Sequence, residues 1–158
     1  RDSGGTGMRV TIRALLAYAA IAAAPVASLA ATPAQERQFV DTYRKAYERR
    51  DHGTLVSLLY TDGADAQALV FYKSMLGAEM GGRIASIELA DLTPEDKVRS
   101  ERAQGLDGRT CRLVLPAAKK LVVRTATKDR NGSSSAASEV IVGENGGRLW
   151  VLVPAAAK

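Results

Sequence analysis

The chain carries one cysteine, one histidine, one tryptophan and two phenylalanines among its 158 residues. A single cysteine, Cys111, excludes any internal disulfide, so stability has to come from packing. At its alternating position it reads as a small apolar group rather than a nucleophile. One histidine, with no CxxC or HxxxH spacing, leaves no protein-built zinc site, and no cofactor is expected. Asp91, Glu95 and Asp96 cluster without the spacing of a calcium loop and read as a capped turn. Charge of one sign is lacking too: the formal net charge is +5, spread along the chain, which argues against a nucleic-acid partner.

Long apolar runs are absent except near the start. Residues 1–7 are polar and glycine-rich and read as an upstream remnant outside the fold. From Met8, Arg9 and Arg13 precede an apolar run from Ala14 to Ala27, and Ser28 and Ala30 supply the small residues of a cleavage site. Residues 8–30 therefore read as a signal peptide, and the run falls short of the roughly 20 residues that span a bilayer. The expectation is a bacterial periplasmic or secreted protein with no stable membrane anchor after cleavage. Loss of residues 1–30 removes three basic and one acidic residue and brings the net charge to +3. Residues 31–158 then form one domain with one core.

What is present is a strong helix signal. Over Thr32–Gly53, Phe39, Tyr43 and Tyr47 recur at every fourth residue, Thr32 suits the N-cap, Pro33 the first helical position and Gln35 the reciprocal acceptor of a capping box. Gly53 is the expected left-handed stop. Thr54 is the expected cap of a short second helix through Leu59, and a third helix is expected over 64–80, ended by Gly81-Gly82. From Arg83 the period changes to two. A first strand alternates through Ala85, Ile87 and Leu89, with Ile84 out of phase, and Lys97–Gln104 reads as a polar edge strand or loop. Further strands run through Cys111, Leu113 and Leu115 and through Leu121, Val123 and Thr125. Lys128–Ser135 reads as a mobile loop and Gly143–Gly147 as the loop of a closing hairpin.

Helices followed by strands with hairpin signals predict an α+β domain with an antiparallel sheet of four to six strands. Val114, Val122, Ile141, Trp150 and Leu152 lie out of phase with the inward set, so the second sheet face is partly apolar. A homodimer formed through the sheet would cover it.

The segment FVDTYRKAYERRDHGTLVSLL and the ending EVIVGENGGRLWVLV resemble the nuclear transport factor 2-like superfamily, which includes SnoaL-like domains. Ala46, Asp51 and Leu55 match its A-x-x-x-x-D-x-x-x-L phrase, and Gly147 to Trp150 matches its Gly-x-Trp ending with one extra residue. Three N-terminal helices are expected from the periodicity, and the resemblance implies a curved sheet wrapped round the first of them, a cone with an apolar pocket at its open end. It also implies ligand binding or general acid-base catalysis, without assigning catalytic positions.

Phe39, Tyr43, Tyr47, Tyr72 and Trp150 are the candidate ligand-binding residues. The tyrosines can aim hydroxyls into a pocket or simply fill a core, and Trp150 can be a pocket wall or a dimer anchor. Asp51 and His52 are neighbours in sequence and diverge on a helix, and His52 is placed to cap the carbonyls at a helix end. The expected function is a non-catalytic exported module that binds a small apolar ligand or a protein. The alternative is an acid-base isomerase, cyclase or dehydratase. A cystatin-like protease inhibitor would need an exposed wedge, for which only Gly143–Gly147 qualifies.

Overall fold

The computed structural model describes residues 30–104, 108–129 and 132–155, so the leader-like segment lies outside the described residues. Helix α1 (Pro33–Arg49) begins with the expected capping box: Thr32 Oγ1 accepts from the Gln35 N–H at 3.3 Å, and the Thr32 N–H donates to Gln35 Oε1 at 2.7 Å. It buries Phe39, Tyr43, Ala46 and Tyr47. Its end differs from the expected one. Arg50, not Gly53, takes the left-handed conformation at φ 58°, with the Arg50 N–H donating to Tyr47 O and the Asp51 N–H to Ala46 O. These two bonds form a Schellman motif that satisfies the last carbonyls three residues earlier than the glycine.

Gly53 instead lies inside α2 (His52–Ser57), capped by Asp51 rather than Thr54. Asp51 Oδ1 accepts from the Thr54 N–H at 3.0 Å and Oδ2 from its hydroxyl at 2.6 Å. Asp65 caps α3 (Ala66–Glu79) through the Ala68 N–H. Gly81 follows at φ 94°, and its missing Cβ leaves room for the Arg50 guanidinium.

The strands form a curled four-stranded antiparallel sheet in the order β1 (Arg83–Asp91), β4 (Ala117–Asp129), β5 (Gly132–Asn145), β6 (Arg148–Val151). The molecule is therefore an α+β domain. Ile84 is buried because the β1–β4 register slips between Ile84 and Ser86, leaving Ala85 unpaired and exposed. That bulge puts Ile84, Ile87 and Leu89 on the core side together, which a strict period of two forbids.

Four other expectations are corrected. Lys97–Glu101 belongs to a helix, α4 (Pro94–Glu101), because Thr93 and Asp96 form a second capping box that a loop would not need. The Cys111–Leu115 strand shrinks to β3 (Thr110–Cys111), paired with β2 (Ala103–Gln104), and Leu113 makes only an isolated bridge to Pro154. The expected loop at 128–135 is mostly strand: the β4–β5 pairing runs out to Asp129 and Gly132. The closing hairpin likewise turns on Gly146 and Gly147 alone, both at positive φ, with Asn145 already paired to Arg148.

The core lies between α1 and the concave sheet face. Phe39, Tyr43 and Tyr47 pack with Leu121, Val123, Val142, Leu149 and Val151. The outer edge of β6 is covered by Leu58–Tyr60: the Val151 N–H donates to Leu58 O at 2.8 Å and the Tyr60 N–H to Val151 O at 3.0 Å.

Candidate functional site

The five candidate residues divide among three places. Phe39, Tyr43 and Tyr47 come together in the core, each no more than 6% exposed, with the two tyrosine rings stacked at 6.4 Å. Burial pushes the Tyr43 hydroxyl well above its ordinary pKa and raises that of Tyr47 too, and the charge of Glu79 at the end of α3 adds to both. Tyr72 is half-buried on α3 beside Phe71, its hydroxyl also raised by burial. Trp150 faces away from that core, since its neighbours Leu149 and Val151 are the buried ones in β6. The Arg148 guanidinium lies 4.0 Å from the centre of its ring, and Tyr60 meets it edge-on at 5.7 Å. The tyrosine ridge is thus spent on packing, and Trp150 is clothed by its own chain.

Two open concavities among the described residues flank α4. One, of about 630 Å³, runs between α4 and the irregular segment Arg112–Ala117, lined by Leu92, Leu113, Val114, Leu115 and Pro116 with Lys97 and Arg112 among its polar groups. The second, of about 570 Å³, lies against Pro94, Val98 and Arg102, and Val98 is 55% exposed. None of the five candidates lines either groove.

Helix α4 is fixed to the sheet by one ion pair. Asp96, the buried charged residue among the described ones, lies 2.9 Å from Lys120 Nζ and accepts from the Thr93 N–H at 3.0 Å. The Lys120 hydrogen bond, with the Thr93 bond behind it, holds the Asp96 carboxyl at about 2. Lys120 also reaches Glu139 at 3.4 Å. A capped turn, though not a capping box or a helix, was legible around Glu95 and Asp96. Its partner Lys120 was not, because nothing local marks a lysine on a strand as an anchor.

The adjacent Asp51 and His52 serve structure. Asp51 caps α2, and His52 Nε2 lies 2.8 Å from Lys73 O on α3, so it joins two helices instead of closing the end of α1. Among the described residues no group of three or more His, Cys, Asp or Glu side chains is placed to hold a metal, and no helix is long and apolar enough to cross a membrane. No family model, curated protein or solved structure matches the chain.

Proposed function

We propose that the protein is an exported, non-catalytic binding module, a cone-type α+β domain of the nuclear transport factor 2-like kind, that holds a small apolar ligand. Its site is the groove between α4 and Arg112–Ala117. The observation that carries this reading is the half-buried aliphatic lining of that groove, Leu113, Val114 and Leu115, beside the exposed cations Lys97 and Arg112. Apolar side chains beside a few charged groups suit an aliphatic chain with an anionic head.

Several titratable groups an acid-base enzyme would draw on are engaged in structure: the Asp96 and Asp51 carboxylates accept backbone N–H groups at helix starts, and His52 bonds to Lys73 O. Glu101, which lines the groove, is exposed. Glu79, the acid whose charge reaches Tyr43 and Tyr47, is exposed at a helix end rather than enclosed with them. That favours binding over general acid-base catalysis, which needs the base within hydrogen-bond reach of a bound substrate.

Decanoate titrated calorimetrically into the protein tests the site. Saturable binding should weaken about tenfold or more in Val114→Glu, which puts an acid into the apolar lining. Equal binding by the variant and the parent rules this groove out.

A further inference from the structure

Strand β5 has a free edge over most of its length. Strand β6 covers only Val142–Asn145 of β5, and among the described residues no strand pairs with the other side of Gly132–Val140. The Leu152 N–H donates to Ile141 O at 2.9 Å, so Ile141 aims its backbone at that side. In an antiparallel ladder this direction alternates. Glu139, Ala137 and Ser135 therefore point their N–H and C=O groups outward from the sheet edge.

Edges are normally blunted by charge, proline or a bulge. The other free edge is blunted: β1 carries Arg83, Glu88 and Asp91 and the irregularity at Ala85. From Ser134 to Val140 (SSAASEV) β5 has no proline, one charge and no register break, and Ser134 to Ala137 are exposed. Open backbone groups on a strand with small side chains invite another strand.

We propose that a second copy of this chain fills that edge, two β5 strands pairing antiparallel about a twofold axis at Ala137. In that register Ala137 meets Ala137, Ser135 meets Glu139, and Ser134 meets Val140. The single charge never faces itself, and opposed residues lie on the same sheet face, so the two sheets join into one. A face-to-face dimer has less to cover, because Val122 and Leu152 on the second face are already buried within one chain.

The register fixes the test. Sedimentation velocity of the full chain across a concentration series should give a monomer–dimer equilibrium. Ser135→Glu sets like charges opposite each other twice and should weaken the dimer by about 2-fold to about 30-fold, whereas Ser135→Lys should tighten it by a similar factor. Ala137→Pro removes an outward N–H and no β4 bond, and should abolish dimerisation. Hydrogen exchange at the Ser135, Ala137 and Glu139 amides should slow as concentration rises. A monomer at every concentration overturns the proposal, as does a dimer indifferent to these substitutions. Protection that does not depend on concentration also overturns it, since the edge is then filled from within the same chain.

Discussion

Gly143 has little room for change. A Cβ there would lie 2.9 Å from both Leu152 methyls and from the Pro116 carbonyl, and the backbone contact cannot swing aside. Gly143→Ala is expected to cost about 1–3 kcal/mol, read from the urea midpoint at unchanged slope. Asp96 makes a pH prediction. Its carboxyl is held at about 2 in the fold, whereas a free aspartate titrates near about 3.9. Folding thus favours the ionised form, so its contribution is whole above about pH 4 and is lost as pH falls through about 2. Asp96→Asn should melt below the parent at about pH 6, and the gap should close as pH falls from about 4 to about 2. A constant gap would mean that the Lys120 pair does not govern it.

Among the elements, α1 carries both a local and a long-range signal, and each can be broken separately. Thr32→Ala removes the cap and should cost about 1 kcal/mol. Phe39→Ala empties a core position and should cost about 3–5 kcal/mol, by chemical denaturation. The start of α1 was legible, because a capping box is short-range chemistry and Thr32 and Gln35 are three residues apart; Asp51 in place of Thr54 at α2, and a whole helix behind Thr93 and Asp96, were not. Helix ends and strand lengths were less so. Arg50 closes α1 through a backbone motif that favours glycine yet tolerates arginine, and the Ser- and Ala-rich stretch of β5 is strand because β4 pairs with it over the whole of that length. Pairing of that kind is tertiary and overrides local propensity. The bulge at Ala85 hid the core phase of β1 for the same reason.

For the whole molecule, an aromatic helix packs against the concave face of a curled sheet, and the two surfaces proposed for binding, the α4 groove and the β5 edge, lie at its margins. The groove proposed as the site was not legible in the sequence, since none of the five candidate residues lines it. Phe39, Tyr43 and Tyr47 were found as a group, but spacing alone does not distinguish a ridge that lines a cavity from one that fills it. The groove was missed because it is built from Leu92 and Leu113–Leu115, brought together by an irregular segment with no periodic signature. The most direct measurement of this account is amide chemical-shift mapping during a decanoate titration. Shifts confined to Leu92, Lys97, Arg112–Leu115 and Ala117, with Phe39, Tyr43 and Tyr47 unmoved, are predicted; shifts centred on those three aromatic residues would contradict it.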